Sequence, residues 1–130
     1  MSIEQSSQSF LVVRHGERCD FVFNGANESW MTKAFDSNGR YSSTDMNMPR
    51  TLPDRRGDWR SYEYDSPLTK VGHMQANLTG TNTFAFSGWR ALRDAGMKID
   101  VVYCSPALRC VQTASGIVTG LGEPSFPKSS

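Results

Sequence analysis

The sequence has no apolar run long enough to cross a membrane, and no apolar secretion signal stands near its start. We therefore predict a soluble chain that resides in the cytoplasm, with the nucleus as the alternative. Net charge is nearly absent, because 14 Lys and Arg residues face 13 Asp and Glu residues, giving a formal charge of +1. Without a strong field of one sign, the chain is not expected to bind nucleic acid or a membrane surface.

Cysteine and histidine are scarce. The odd set of cysteines, Cys19, Cys104 and Cys110, shows no zinc-type spacing. We expect small buried thiols in a reducing compartment, with no metal and no cofactor. Cys19 is near His15 in the sequence, and an oxidant-sensing thiol is the alternative at that position. The chain holds only two histidines, and the second, His73, is interpreted as a partly exposed helix residue without a catalytic role.

What is present fits one α/β domain. A chain of 130 residues with 38% hydrophobic content can bury a core. We predict a flexible N-terminus over residues 1–9, a domain over 10–122 and a flexible tail over 123–130. The apolar runs 10–13 and 99–103 predict two buried parallel strands that helices connect in a right-handed crossover.

Helices are predicted between these runs and after them. Residues 30–35 are expected to form a short helix capped by Asn27 or Ser29. A second helix is predicted to begin at Thr69, and a third to span 83–95. The inward stripe of the second helix is predicted to be Val71, Met74 and Leu78.

The first candidate site follows the run at 10–13. Gly16 allows a sharp turn there, so His15 is placed between Arg14 and Arg18 at the end of a strand. A neutral imidazole is a nucleophile at physiological pH, and guanidinium groups bind phosphoryl oxygens in a planar, bidentate way. The pattern indicates phosphoryl chemistry; the alternative is a charged surface loop.

The second candidate site follows the run at 99–103. Ser105 and Pro106 are typical of a helix start, which puts Arg109 in the first turn of a helix that ends near Gly120. A helix N-terminus favours anions, and Arg109 adds a full charge to it. The apolar face of this helix is predicted to be Ala107, Val111, Ala114 and Val118. Two arginine-bearing sites at strand ends predict one shared phosphate pocket.

A long segment between the sites, residues 36–66, has no regular periodicity and is predicted to be an irregular loop. It carries four arginines that would attract an acidic phosphopeptide: Arg50, Arg55, Arg56 and Arg60. The alternative is a solvated, charged loop without a binding role.

Three sequence blocks resemble the histidine phosphatase (phosphoglycerate mutase-like) superfamily: RHGE at residues 14–17, PLTKVGHMQA at 67–76 and SPALRCVQTA at 105–114. The blocks RHGERCD, FDSNGRY, NMPRTLP and VYCSPALRCVQTA further resemble the phosphatase domain of the ubiquitin-associated and SH3 domain-containing proteins, the suppressors of T-cell receptor signalling. The resemblance implies a three-layer α/β/α fold. It also implies that His15 is phosphorylated in catalysis, that Arg14, Arg18 and Arg109 bind the phosphoryl group, and that no metal is needed.

The resemblance covers residues from about Phe10 to about Gly122, and the family's second half carries another histidine that completes the pocket and assists proton transfer. We therefore expect a truncated domain whose parallel strands and helices leave apolar faces uncovered. A second copy or another protein is expected to cover them. The isolated chain is expected to be less stable than a complete domain.

Three functions remain open from the sequence. The first is a phosphomonoesterase that hydrolyses phosphotyrosine-like groups on proteins, or small phosphomonoesters, through a phosphohistidine. The second is a non-catalytic chain that binds phosphorylated ligands or regulates a longer relative. The third is a phosphoglycerate mutase or sugar-phosphate phosphatase.

Overall fold

The computed structural model describes residues 8–54, 57–81, 96–97 and 99–122. Its helices are α1 (Cys19–Phe23), α2 (Trp30–Ala34), a 3₁₀ helix (Trp59–Glu63), α3 (Lys70–Thr81) and α4 (Leu108–Leu121). Within these ranges no helix is both long and apolar enough to cross a membrane. The predicted helix at 83–95, the tail at 123–130 and most of the predicted flexible N-terminus lie outside the described residues.

The two predicted strands are not formed. Residues 10–13 and 99–103 have no regular hydrogen-bonded structure in the described part of the chain. Val12 and Tyr103 expose 96% and 88% of their surface. A parallel strand needs hydrogen-bonded neighbours and cover on both faces, whereas α3 and α4 pack on each other. The structure therefore corrects the predicted strand–crossover–strand unit for these residues.

The short helix at residue 30 is confirmed, together with one of its two predicted caps. Ser29 precedes α2 with an extended backbone, and its hydroxyl accepts a hydrogen bond from the Met31 N–H at 3.2 Å. Asn24 adds a second acceptor, since its side-chain oxygen lies 2.7 Å from the Trp30 N–H. These side chains satisfy N–H groups that a helix start leaves without intrahelical partners.

An aromatic cluster gives the segment 36–66 more order than its composition predicts. Phe35 stacks on Trp59 and Tyr62, with ring centroids 5.2 and 5.9 Å away. Tyr41 and Trp30 approach the same ring edge-on, at 5.5 and 5.9 Å. Such pairs each stabilise a fold by roughly 1 kcal/mol beyond the area they bury. The segment is anchored to α2, and the prediction of an irregular loop is wrong for its 3₁₀ helix, Trp59–Glu63.

The main helix pair is held by small residues. In α3 the buried positions are Gly72, Ala76 and Gly80, at the i, i+4 spacing that forms one face of a helix. A Cβ atom at Gly80 would lie 2.2 Å from the Ile117 carbonyl oxygen of α4, so the two backbones touch there. The predicted helix is confirmed, but its predicted inward stripe is wrong. Those larger side chains are 40 to 60% exposed: Val71, Met74 and Leu78.

The helix α4 begins and ends slightly later than predicted. Its first helical residue is Leu108, while the Ser105 hydroxyl accepts from the Ala107 N–H at 3.3 Å in the preceding turn. The helix ends at Leu121 and is terminated by Gly122, whose φ of 73° is the left-handed conformation typical of a glycine terminator. Gly120 lies within the helix and is buried against α3, which corrects its predicted role as terminator.

Candidate active site

The RHGE turn lies directly against α3, with backbone meeting backbone. A Cβ atom at Gly16 would lie 2.6 Å from the Gly72 carbonyl oxygen, and one at Gly72 would lie 2.2 Å from the Glu17 carbonyl oxygen. Neither position has room for a side chain. The glycine of the first block and the glycine of the second block therefore meet at one contact.

Hydrogen bonds join the second block to the first and third blocks. The Thr69 N–H donates to the Glu17 carbonyl at 3.0 Å. The Leu68 N–H donates to the side-chain oxygen of Gln112, in α4, at 2.8 Å. Leu68 and Thr69 are fully buried, so these bonds satisfy polar groups that have no access to water. All three sequence blocks consequently converge on one small region.

The ring of His15 is oriented by the backbone of the next residue. Its Nδ1 lies 2.9 Å from the Gly16 carbonyl oxygen. A carbonyl oxygen can only accept, so this bond requires the proton on Nδ1. In the neutral ring, Nε2 then carries the free lone pair and is the nitrogen available for attack. The ring is half-buried, so a ligand can reach it.

The loop of His15 is tied to the helix of Arg109 through one threonine. The Gly16 N–H donates to the Thr113 hydroxyl oxygen at 3.1 Å, and that hydroxyl donates to the Arg109 carbonyl at 2.7 Å. The first and third blocks, 97 positions apart at this hydrogen bond, are thus neighbours. The structure brings together the two segments that carry His15 and Arg109.

The three predicted phosphate-binding arginines have different surroundings. Arg14 is exposed. Arg18 forms a bidentate ion pair with Asp20, at 2.9 Å from Nε to Oδ1 and 2.5 Å from Nη2 to Oδ2, and its guanidinium lies 4.2 Å above the centre of the Phe21 ring. Arg109 has a buried Nε with no hydrogen-bond partner among the described residues. Of the three, Arg109 is the one with a buried and unpartnered donor, since Arg14 can bond to water and Arg18 is paired with Asp20.

The N-terminus of α4 already faces an anion. The Leu108 N–H donates to Asp65 Oδ1 at 2.7 Å. A carboxylate at this end is stabilised by the helix dipole, as a phosphate would be. At this terminus the Leu108 amide is therefore occupied by Asp65, and the use of the terminus by a substrate phosphate stays a prediction.

Hydrogen bonds that the sequence did not predict hold Glu17 in place. Its carboxylate accepts from Asn47 Nδ2 at 2.8 Å and from the Thr69 hydroxyl at 2.7 Å. Its own N–H donates to the Gln75 side-chain oxygen at 2.8 Å. Asn47 also caps α3, because its side-chain oxygen accepts from the Val71 N–H at 3.0 Å. No periodicity marks Asn47 in the sequence, since it lies in the irregular segment.

We expect Asn47→Ala to destabilise the chain by about 2 kcal/mol, because it removes a helix cap and a charge-assisted hydrogen bond to Glu17. Asn47→Asp keeps an acceptor for the cap but sets a second carboxylate against that of Glu17, so like-charge repulsion should prevent any recovery of the loss. Urea unfolding measures both changes. Asn38→Ala, at an exposed position, is the matched control and should change stability little. Equal effects at both asparagines would contradict the assigned role of Asn47.

Cys19 is buried rather than poised for oxidation. It is 0% exposed, and burial, with the nearby charges of Asp20 and Glu17, raises the pKa of its thiol to about 12. A neutral, enclosed thiol reacts slowly with oxidants, which argues against the alternative of a redox sensor. The described residues contain no group of three or more His, Cys, Asp or Glu side chains that could hold a metal ion.

The raised pKa of Cys19 predicts a loss of stability at high pH. The unfolded thiol ionises near pH 9.0 and the folded thiol near 12, so between these values the unfolded state binds fewer protons. The free energy of unfolding should then fall by about 1.4 kcal/mol per pH unit above pH 9. Urea unfolding between pH 7 and 10 measures the slope. Cys19→Ala should remove it, and Cys104→Ala, at an exposed thiol, should not.

His73 lies apart from the predicted site residues. It lines a groove of about 690 Å³ between α3 and α4, together with Met74, Leu78 and Val111. Partial desolvation there lowers the pKa of His73, although much of the side chain stays exposed. None of His15, Arg14, Arg18 and Arg109 is among the groove's described lining residues.

The two described arginines of the predicted peptide-binding set in the segment 36–66, Arg50 and Arg60, have different surroundings. Arg60 is paired with Asp58 at 2.6 Å and lies over the Trp59 ring at 4.7 Å, so it is engaged within the chain. Arg50 is exposed. The other two arginines of the set, at positions 55 and 56, lie outside the described residues.

Comparison with known proteins gives a consistent result. Residues 54–128 match the family described as the histidine phosphatase superfamily (branch 1). Ubiquitin-associated and SH3 domain-containing protein B of Mus musculus is 47% identical over 117 residues, 90% of this chain and 16% of that protein. Ecdysteroid-phosphate phosphatase of Drosophila melanogaster is 43% identical over 115 residues, 88% of this chain and 14% of its own length.

A solved structure is also similar. The crystal structure of the ecdysone phosphate phosphatase of Bombyx mori in complex with tungstate is 40% identical, with a TM-score of 0.66 over 83% of this chain and 36% of that one. The chain thus spans only about a sixth of the length of the mouse relative. The family match covers more than half of the chain and includes Arg109, and the solved relative has the same fold. Together with the convergence of the three sequence blocks, these matches show that the chain belongs to the histidine phosphatase superfamily.

Proposed function

We propose that this chain carries a phosphomonoesterase site of the histidine type, with His15 as nucleophile and Arg14, Arg18 and Arg109 as the phosphoryl-binding residues. The observation that supports it most is the hydrogen bond from the Gly16 N–H to Thr113, which sets the His15 loop against the helix of Arg109. The buried, unpartnered Nε of Arg109 supports an oxyanion ligand beside it.

In the first step, Nε2 of His15 attacks phosphorus while Nδ1–H remains bonded to the Gly16 carbonyl. The N–P bond forms as the P–O ester bond breaks, and the electron pair leaves with the ester oxygen, which takes a proton from solvent. The arginines balance the charge that builds up on the non-bridging oxygens. Arg18 must divide its N–H groups between Asp20 and the phosphoryl group.

In the second step, water attacks the phosphohistidine, the N–P bond breaks, and inorganic phosphate and a neutral imidazole result. No proton donor is assigned among the described residues. Loss of a general acid typically costs about 10²- to 10⁴-fold. Turnover should therefore depend strongly on the leaving group, and aryl phosphates should react faster than alkyl phosphates.

The proposed substrates are phosphorylated proteins with phosphotyrosine-like groups or small phosphomonoesters. An aryl ester oxygen is the better leaving group, which favours the first class for a site without an assigned acid. The name of the Drosophila relative, ecdysteroid-phosphate phosphatase, supports the second class. We place the chain in the cytoplasm, where phosphorylated proteins and reduced thiols are both found.

The test is to mix the chain with a ³²P-labelled aryl phosphate and to quench the reaction in alkali. Acid-labile label on the protein, together with release of inorganic phosphate, is the expected result. Interconversion of phosphoglycerates would instead indicate a mutase. Absence of both label and phosphate release would remove the enzymatic proposal.

A second candidate is a non-catalytic chain that binds phosphorylated ligands. It is favoured by the lack of an assigned proton donor among the described residues, because binding a phosphate needs cations such as Arg109, with its unpartnered Nε, but needs no acid. Binding of a phosphotyrosine peptide without any label on the protein would support this candidate over the first.

We also propose that the three-layer α/β/α arrangement belongs to the whole domain of which this chain matches a part. The chain covers 36% of the solved relative. Exposed apolar side chains at 10–13 and 99–103, among them Val12, Val101 and Tyr103, are the kind that a parallel sheet buries under helices on both faces.

A further inference from the structure

The Thr113 hydroxyl accepts one hydrogen bond and donates another at the point where the His15 loop meets α4. Its hydroxyl oxygen lies 3.1 Å from the Gly16 nitrogen and 2.7 Å from the Arg109 carbonyl oxygen. A carbonyl only accepts, so the single hydroxyl proton is used on Arg109 and a lone pair faces Gly16. The directions of both bonds are thereby fixed.

The rotamer of Thr113 is fixed by the same contacts. In a helix, threonine divides between two χ1 rotamers because its hydroxyl can bond to a carbonyl one turn earlier. The bond to the Arg109 carbonyl selects the rotamer that points the hydroxyl along α4. Thr113 is only 7% exposed, so water gives little competition for either bond.

We infer that Thr113 is a positioning residue, which holds the His15–Gly16 peptide in register with the turn of α4 that carries Arg109. This inference rests on the proposed function, because only a shared oxyanion ligand requires that register. A shift of the loop would break the Gly16 bond and leave a buried hydroxyl half-satisfied. The loop therefore has one preferred position relative to Arg109.

The chain offers a matched control for this residue. Thr79 in α3 donates to the carbonyl one turn earlier, that of Gln75, at 2.8 Å. It thus makes the same intrahelical bond as Thr113, but within the described part of the chain it makes no hydrogen bond to another segment. Thr113→Val and Thr79→Val remove the same chemical group from two helices, and only the first removes the bond to Gly16.

The first readout is the hydrogen-exchange rate of the Gly16 amide, which NMR measures in the full chain. Loss of one hydrogen bond should speed this exchange about fivefold in Thr113→Val. Thr79→Val should leave it unchanged, and Thr113→Ser, which keeps the hydroxyl, should restore protection. Unchanged Gly16 exchange in a folded Thr113→Val chain would overturn the inference.

The second readout is the affinity for tungstate, measured by calorimetry. We expect Thr113→Val to bind tungstate about fivefold or more weakly than the wild type, and Thr113→Ser and Thr79→Val to bind it nearly as well. Wild-type affinity in Thr113→Val would show that the register does not matter for the oxyanion, and would overturn the inference.

The two proposals can fail separately. If the wild-type chain binds no tungstate and gains no label from the aryl phosphate, the proposed function is refuted. The positioning role of Thr113 then has no ligand to serve. If binding is intact but Gly16 exchange is insensitive to Thr113, only the positioning role is lost. Should Thr113→Val fail to fold, the nuclear Overhauser contact between the Gly16 amide proton and the Thr113 side chain in the wild type decides the geometry, and its absence overturns the inference.

Discussion

Replacing His15 by alanine is expected to abolish both the acid-labile phosphate on the protein and the release of phosphate from an aryl ester. The imidazole is proposed to form the covalent bond to phosphorus, and no neighbouring side chain among the described residues is assigned to replace it. Removal of a nucleophile typically costs about 10³-fold or more in turnover. The fold should survive, because the His15 side chain is only half-buried.

The matched control is His73→Gln. The chain contains only two histidines, so label that depends on a phosphohistidine must be on one or the other. His73 lies in the groove between α3 and α4, and its replacement should leave the label intact. Label that survives His15→Ala and disappears in His73→Gln would contradict the nucleophile assignment.

A third variant separates chemistry from binding. Arg109→Lys keeps the charge but loses the planar, forked donor group of the guanidinium. If Arg109 binds the phosphoryl oxygens, this variant should still be labelled at His15, but at a higher substrate concentration. The substrate dependence of the labelling rate measures that shift.

The candidate site could be predicted largely from its sequence blocks, while its surroundings could not. His15, Gly16 and Arg109 stand in short patterns whose chemistry can be interpreted directly, and the structure brings their segments together. Asp20 and Asp65, in contrast, alter the site by pairing with Arg18 and with the N-terminus of α4. Asp65 pairs with an amide 43 positions away, so its partner is set by the fold, whereas Asp20 is two residues from Arg18 and no local pattern decides whether that arginine pairs with it or with a ligand.

The helices show the same division between local and long-range information. Ser29 has the cap pattern expected before α2, and the structure confirms it. The predicted inward face of α3 follows from apolar residues at spacings of three and four, which is the usual basis for a helix stripe. The error arises because Gly72 and Gly80 bring backbones into contact, and close backbone approach selects the smallest residue over the most apolar one.

This backbone contact leads to the last prediction. Gly120→Ala is expected to destabilise the chain by about 3 kcal/mol or more, even though alanine is favoured over glycine in a helix by about 1 kcal/mol. The added Cβ would lie 2.2 Å from the Asn77 carbonyl oxygen and 3.0 Å from the Thr81 backbone nitrogen, both in α3. Because both obstacles are backbone atoms, α3 and α4 must separate and expose Ile117.

The free energy of urea unfolding measures this effect, and Gly25→Ala is the matched control. A Cβ at Gly25 would meet only the Glu28 Cβ, at an ordinary contact distance of 3.9 Å. The free energy of unfolding of the Gly25→Ala chain should therefore differ from that of the wild type by less than about 0.5 kcal/mol. If intrinsic helix propensity governed α4, Gly120→Ala would instead be the more stable chain. That outcome would contradict the close packing of α3 on α4 at Gly80 and Gly120.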